Sequence, residues 1–135
     1  MSDDSLKVLL YSNDRTVREQ VRLALGRKVA ADLPELEIEE VATHQAVVKA
    51  MDTGEYDLAI FDGEANPGGG FGLAYQMKDE IVNCPPIMLL VIRAADAWLG
   101  TWSRAEALVP MPIDPMSFPA QVAEVLRKSM QVEVN

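Results

Sequence analysis

Short apolar segments alternate with amphipathic segments along the whole chain. Five segments rich in aliphatic and β-branched residues predict strands, at residues 6–11, 36–41, 56–62, 87–92 and 107–111. Apolar residues that recur every three or four positions predict five helices, at residues 14–28, 44–52, 71–82, 94–105 and 117–130. This strict alternation predicts an α/β fold with a doubly wound parallel sheet.

The patterns of three predicted strands indicate where they lie in the sheet. Segment 87–92 is apolar at every position, which is typical of a central strand covered on both faces. Segment 36–41 alternates apolar and acidic residues, as expected of a half-exposed or edge strand. Pro110 lacks a backbone N–H for the sheet, so the last strand is also expected at an edge.

The helical stripes predict part of the core. The first and last helices are each expected to bury one stripe, formed by Val17, Val21, Leu23 and Leu25, and by Phe118, Val122, Val125 and Leu126. Asn13 or Asp14 is in position to cap the first helix.

Length and composition indicate one soluble globular domain. The chain has 135 residues, of which 49% are hydrophobic and 24% charged. We expect a single domain over residues 1–135, with its core at about 6–130. The last predicted helix ends about five residues before the chain does, so no output domain is expected.

Charge and composition disfavour several classes of partner and favour a cytoplasmic location. The net charge of −9 disfavours binding to nucleic acid, whose phosphates would repel this surface. The amino terminus is acidic, and the longest apolar run is too short to span a bilayer, so no membrane insertion is expected. The only cysteine, Cys84, favours a reducing, cytoplasmic location. With His44 as the only histidine, no Ser/His/Asp or Cys/His set can be assembled, and the chain is not expected to be an enzyme.

Asp62 is the most informative residue of the chain. It ends the predicted third strand and precedes a glycine-rich loop at residues 63–70. Open α/β sheets place their chemistry at the carboxyl ends of the strands. A carboxylate there can accept a phosphoryl group, hold a metal ion or cap a turn.

Three features together resemble the bacterial response-regulator receiver domain of two-component systems. They are Arg18 in the first helix, the segment Tyr-Asp-Leu-Ala-Ile-Phe-Asp at 56–62, and Pro112 with Ile-Asp-Pro at 113–115. The resemblance covers residues 7–128. It implies a flavodoxin-like sheet with strand order 2-1-3-4-5, five helices, and a role in signal transduction. It also implies that Asp62 is the position that receives a phosphoryl group from a histidine kinase.

The chain departs from this family at the metal-binding positions. The family holds a divalent cation with an acidic pair after the first strand, and Ser12 and Asn13 match that pair. A hydroxyl and an amide supply oxygen but no negative charge, so any Mg²⁺ site formed by Asn13, Asp14 and Asp62 is expected to be weak. Asp14 or Glu64 would have to reach into the pocket to strengthen it. No other cofactor is expected.

Further departures define an atypical receiver or pseudo-receiver. Arg93 stands where the family has Thr or Ser, Met111 where it has Lys before the proline, and Leu108 where it usually has an aromatic residue. Two interpretations of Arg93 stay open. Its guanidinium can pair with Asp62 and fill the pocket, or it can point into solvent as the first polar residue after a buried strand. Phosphorylation at Asp62 is therefore expected to be impaired.

Two tryptophans suggest how the protein makes contacts. Trp98 and Trp102 lie one turn apart on the predicted fourth helix and share a face. They can belong to the core or anchor a partner protein. The resemblance favours a partner, because the family uses its fourth helix, fifth strand and fifth helix, here with Leu108, for dimers and effectors.

A second function class stays open. A flavodoxin-like fold can also bind a flavin or another small ligand in the crevice at the carboxyl edge of the sheet. The loop after the first strand offers only Ser12 and Thr16 for phosphate binding, which is fewer hydroxyls than a flavin phosphate requires.

Overall fold

The sheet has five parallel strands. The computed structural model describes residues 5–64, 69–92 and 103–134. The strands are β1 (Leu6–Tyr11), β2 (Leu36–Val41), β3 (Leu58–Asp62), β4 (Ile87–Val91) and β5 (Ala107–Pro110), in the order β2-β1-β3-β4-β5. This confirms the predicted fold class and strand order.

Four helices lie within the described residues, rather than the five predicted. They are α1 (Arg15–Leu25), α2 (His44–Thr53), α3 (Gly69–Glu80) and α4 (Phe118–Val134). The predicted fourth helix at 94–105 lies outside the described residues except for its last three positions. The label α4 therefore belongs to the helix that was predicted fifth.

The sheet separates two apolar clusters, because successive strand residues point to opposite faces. Leu10, Ile60 and Leu90 face the cluster that includes residues of α1 and α4. Their neighbours Leu9, Tyr11, Phe61 and Leu89 face the cluster that includes residues of α2 and α3. Both faces of the sheet are therefore buried, as a doubly wound fold requires.

The predicted extent and stripe of α1 were partly wrong. The helix begins after Asp14, whose Oδ1 accepts the Thr16 N–H at 2.9 Å, and it ends at Leu25 rather than residue 28, with Gly26 as its C-cap. Gly26 has φ of 60° and ψ of −146°, a backbone conformation that favours glycine, and its N–H donates to the Arg22 carbonyl. Leu23 is 77% exposed, because Val17, Val21 and Leu25 form one face at i, i+4 and i+8, and Leu23 lies off it.

Other boundaries shift by a few residues. The structure begins β3 at Leu58, ends β4 at Val91 and ends β5 at Pro110, one or two residues inside the predictions. Helix α3 begins two residues before its predicted start, with Gly69 and Gly70 in its first turn. Helix α4 runs four residues beyond its predicted end.

The main predictions about burial hold. All five residues of β4 are buried, and β2 and β5 are the two edge strands. Phe118, Val122, Val125 and Leu126 of α4 are all buried. Within the described residues, no helix has the length and apolar character needed to cross a membrane.

Candidate functional site

The carboxyl ends of β1 and β3 bring Ser12 and Asp62 together. These strands are adjacent and parallel, with Tyr11 opposite Phe61, so the next residues of both strands emerge side by side. Ser12 is fully buried and Asp62 is 3% exposed. The Ser12 Oγ donates a hydrogen bond to Asp62 Oδ2 at 2.7 Å. A hydroxyl thus donates to the carboxylate from the position that the resemblance matches to an acid.

The second carboxylate oxygen is held by backbone. Asp62 Oδ1 accepts the Glu64 N–H at 2.9 Å, while the Glu64 side chain is exposed. The turn is also tied to β4, because the Gly63 N–H donates to the Leu90 carbonyl at 2.8 Å. Both oxygens of Asp62 therefore accept hydrogen bonds from neutral donors.

Glycines allow backbone segments next to Asp62 to pack closely on each other. A Cβ at Gly70 would lie 2.6 Å from the Asp62 carbonyl oxygen, and a Cβ at Gly63 would lie 2.7 Å from the Leu90 carbonyl oxygen. Both distances are too short for any side chain. The glycine-rich segment after β3 therefore has a steric role at its two ends.

Ser12 is fixed through three of its polar atoms. Its N–H donates to the Val41 carbonyl at 3.3 Å, and its Oγ accepts the Asp14 N–H at 3.0 Å. Its carbonyl accepts from Arg18 Nη1 at 2.7 Å, and Arg18 also pairs with Glu40 at 3.1 Å. Arg18, one of the residues that carry the family resemblance, thus holds the backbone of Ser12, whose hydroxyl donates to Asp62.

The residues do not fit a strong magnesium site. Asp14 is exposed, and its Oδ1 caps α1 by accepting the Thr16 N–H. Asn13 and the Glu64 side chain are exposed as well. Across the described ranges, no group of three His, Cys, Asp or Glu side chains is arranged to hold a metal ion. Asp62 is the one buried carboxylate among the described residues of this site. Its neighbour Ser12 donates a hydrogen bond to it and supplies no negative charge that would help to bind a cation.

Leu108 on β5 and Met111, the residue after β5, are partly buried and apolar. Met111 packs against the cluster that contains Phe118, and its N–H donates to the Val91 carbonyl at 2.7 Å. Leu108 packs against the opposite cluster. At the position that the resemblance matches to a lysine, this chain therefore packs an apolar side chain against the core.

Three predicted residues lie outside the described residues. They are Arg93, Trp98 and Trp102. The pairing of Arg93 with Asp62 and the interface role of the two tryptophans remain predictions.

The sequence analysis does not identify Tyr11, the last residue of β1, as a residue next to the site. It is 1% exposed, and its ring packs edge-on against Phe61 with the ring centroids 6.0 Å apart. Its hydroxyl is buried without a hydrogen-bond partner in the part of the chain that the structure describes. Burial raises the pKa of Tyr11, and the charge of Asp62 raises it further. Its place directly before Ser12 was the available signal.

Comparison with known proteins decides the family. No family model matches the chain. It is 50% identical over 126 residues to uncharacterized response regulatory proteins from two strains of Mycobacterium tuberculosis, covering 93% of this chain and 95% of theirs. The chain belongs to the response-regulator receiver family. The match to those relatives extends over nearly the whole of this receiver and of each relative.

Solved receiver structures share the fold at low sequence identity. The signal receiver domain of an HD domain-containing protein from Pseudomonas fluorescens Pf-5 superposes with a TM-score of 0.81 at 13% identity, over 100% of this chain and 96% of that one. A CheY-like receiver domain protein from Methanospirillum hungatei JF-1 gives 0.72 at 16% identity, over 93% and 97%. The BeF3-activated DrrB receiver domain gives 0.71 at 16%, over 91% and 98%. These relatives do not support the alternative of a flavin-binding module.

Proposed function

We propose that this protein is an atypical receiver that signals through contacts with other proteins and in which phosphorylation at Asp62 is impaired. The hydrogen bond from Ser12 to Asp62, at 2.7 Å between two buried side chains, carries this proposal. It puts a neutral donor where an acid would help to hold a cation.

The electrostatics of phosphoryl transfer explain why this matters. A phosphoryl group approaching a carboxylate brings negative charge onto negative charge, and cations must neutralise it in the transition state. Asp62 forms no ion pair with any Lys or Arg of the described residues, and Met111 contributes no charge. Transfer to Asp62 is therefore slow, although the acceptor carboxylate is retained.

The hydrogen bond also competes with the chemistry directly. Asp62 Oδ2 uses one lone pair to accept the hydrogen bond from the Ser12 hydroxyl, and Oδ1 accepts a hydrogen bond from the Glu64 N–H. A nucleophilic oxygen has to give up part of this bonding before it attacks phosphorus. A buried carboxylate that accepts a hydrogen bond on each oxygen is a stable structural group and a poor nucleophile.

Contacts with proteins are supported by a groove beside β5. A groove of about 530 Å³ is lined by residues of β5 and α4 that include Leu108, Val125 and Gln121. Leu108 is only partly buried there. This face is our proposal for the contact with a second copy or another protein, and a histidine kinase is a further partner. The role of Trp98 and Trp102 in such a contact stays a prediction from the sequence.

Incubation with acetyl phosphate and Mg²⁺ tests the phosphorylation part. Intact mass measurement should show little or no added phosphate on the wild type, as on the Asp62→Ala control. Rapid and complete addition to the wild type, absent from Asp62→Ala, would show a fully competent acceptor and contradict the proposal.

A matched pair of leucines tests the contact surface. Leu108→Glu places a charge in the groove, whereas Leu23→Glu places one on α1 at a leucine that is already 77% exposed. Sedimentation velocity and pull-down of a purified histidine kinase should show association weakened by Leu108→Glu and not by Leu23→Glu. Equal behaviour of the two variants, at equal thermal stability, would remove β5 from the interface.

A further inference from the structure

The carbonyl group of Ser12 takes its hydrogen bond from outside the sheet. Ser12 directly follows β1 and is fully buried, so water does not reach its backbone. Its N–H still bonds to β2, at 3.3 Å from the Val41 carbonyl, but its own carbonyl accepts from a side chain, Arg18 Nη1 at 2.7 Å. A buried carbonyl without a donor is costly, so Arg18 completes the backbone hydrogen bonding of Ser12.

The Arg18 side chain is a fixed donor rather than a mobile surface cation. Hydrogen bonds from a charged donor are shorter and roughly twice as strong as neutral ones. The side chain is only 17% exposed, so water and salt screen it little. Its Nε also donates to Glu40 Oε1 at 3.1 Å, which holds the guanidinium between α1 and β2.

The backbone of Ser12 determines where its hydroxyl lies. A single side-chain dihedral separates Oγ from the backbone, so the oxygen moves when the main chain moves. Oγ accepts the Asp14 N–H at 3.0 Å and donates to Asp62 Oδ2 at 2.7 Å. A shift of a few tenths of an ångström takes such a bond out of its favourable range of about 2.5–3.0 Å. The group that holds the Ser12 carbonyl therefore also controls the bond to Asp62.

We propose that Arg18 is a positioning residue of the Asp62 site and that it acts through Ser12. Its guanidinium, anchored by Glu40, holds the Ser12 carbonyl, and this keeps the Ser12 hydroxyl on the carboxylate. The connection begins at a partly exposed acid of β2 and ends at a buried one of β3. A change at the surface of α1 and β2 therefore reaches the buried site. This role does not depend on whether Asp62 accepts a phosphoryl group.

Arg22 is a matched control on the same helix. It lies one turn after Arg18, and its Nε pairs with the other oxygen of the same acid, Glu40 Oε2, also at 3.1 Å. It is 58% exposed, and among the described residues no hydrogen bond joins it to Ser12. Arg18→Met and Arg22→Met thus each remove one ion pair with Glu40, but only Arg18→Met also removes the donor to the Ser12 carbonyl.

The NMR signal of the Asp62 carboxyl carbon tests the proposal directly. In protein with isotope-labelled aspartate, this signal is the one absent from Asp62→Asn, and its position in Ser12→Ala marks a carboxylate without the serine hydrogen bond. In Arg18→Met it should move from the wild-type position towards the Ser12→Ala position, whereas in Arg22→Met it should not move. An unmoved signal in Arg18→Met, or equal movement in Arg22→Met, would overturn the inference.

Stability measurements separate positioning from a purely structural role. Arg18→Met should lower the folding equilibrium constant about tenfold in the wild type, and clearly less in Ser12→Ala, where no hydroxyl is left to position. Arg22→Met should lower it less than about threefold in both backgrounds, as expected of an exposed ion pair. An Arg18→Met effect of equal size in the two backgrounds would mean that Arg18 only satisfies a carbonyl, which overturns the inference.

Glu40→Ala tests the anchor and replaces Arg18→Met if that variant does not fold. Arg18 then keeps its donor groups but loses the acid that fixes its side chain. The Asp62 carboxyl signal should move in the same direction as in Ser12→Ala, by a smaller amount. A signal that stays at the wild-type position in Glu40→Ala would contradict the anchored role of Arg18.

Discussion

Two carboxylates at opposite ends of the sheet are held in opposite ways. At the amino end of β5, Glu106 pairs with Lys78 Nζ at 2.6 Å and accepts the Ile87 N–H at 2.7 Å. At the carboxyl end of β3, Asp62 accepts one hydrogen bond from the Ser12 hydroxyl and one from the Glu64 backbone N–H. Glu106 is thus a charged tether between α3, β4 and β5, whereas Asp62 is bonded by neutral groups within the described residues.

Burial makes this difference important. The Glu106 side chain is 41% exposed, so water and salt screen its charge, but Asp62 is 3% exposed. A buried carboxylate that forms no ion pair with the described residues depends on each of its hydrogen bonds. The site that family resemblance marks as reactive is therefore the one whose local structure is most easily damaged.

The largest stability effect should come from crowding the backbone next to Asp62. Gly70→Ala places a Cβ 2.6 Å from the Asp62 carbonyl oxygen and should lower the free energy of unfolding by about 1–3 kcal/mol. Gly72→Ala is the control, because a Cβ there meets nothing within 4 Å. In helix α3 it should raise stability by up to about 1 kcal/mol. Urea denaturation of both variants measures this, and equal effects would contradict the tight approach at Gly70.

Removal of the Ser12 hydroxyl should have an effect of similar size. Ser12→Ala leaves a buried carboxylate oxygen and the Asp14 N–H without this partner, which should cost about 1–3 kcal/mol of unfolding free energy. The loss should be smaller when Asp62→Ala is also present. Denaturant melts of the single and double variants measure it, and a Ser12→Ala protein as stable as the wild type would contradict the role of this bond.

Neutralising Glu106, the carboxylate at the other end of the sheet, should lower the free energy of unfolding less than removing the Ser12 hydroxyl. Glu106→Gln keeps an acceptor for the Ile87 N–H and removes the charge that pairs with Lys78. Because Glu106 is partly exposed, the loss should be below about 1 kcal/mol and should shrink further in high salt. Thermal melts at low and high salt check this. A loss larger than that of Ser12→Ala would reverse the comparison between the two ends.

A small effect is expected at alkaline pH. Burial, with a smaller effect from Glu39, raises the pKa of Tyr56 to about 12 from its usual 10.0. The folded state therefore holds the phenol proton more tightly than the unfolded state. This contribution to stability is complete below pH 10.0 and is lost as pH rises towards about 12. The unfolding free energy of Tyr56→Phe should fall less steeply over this range than that of the wild type, and identical slopes would remove Tyr56 as a cause.

The fold was predictable because its signals are local and repeated. The apolar run of β4 and the alternating acids of β2 follow directly from which faces are buried. The sequence predicts the start of α3 too late, because Gly69 and Gly70 are poor helix formers. The close packing of Gly70 against the Asp62 carbonyl oxygen, which requires a glycine, depends on the tertiary structure.

The site was predictable only in part. Position in the sheet and family resemblance together indicate that Ser12 and Asp62 lie near each other. The unsatisfied hydroxyl of Tyr11 and the bond from Arg18 to the Ser12 carbonyl depend on how neighbouring strands and helices pack. A sequence pattern at the end of β1 marks Tyr11 only as one more core residue.

The most direct test of the account is the rate at which acetyl phosphate with Mg²⁺ adds phosphate to Asp62. The variant Ser12→Asp/Asn13→Asp/Met111→Lys restores the charges that the resemblance expects, and Asp62→Ala is the control in both backgrounds. By intact mass, the restored variant should incorporate phosphate at least about tenfold faster than the wild type. A wild type as fast as the restored variant, or a restored variant that stays unmodified, would contradict the claim that these neutral residues impair the site.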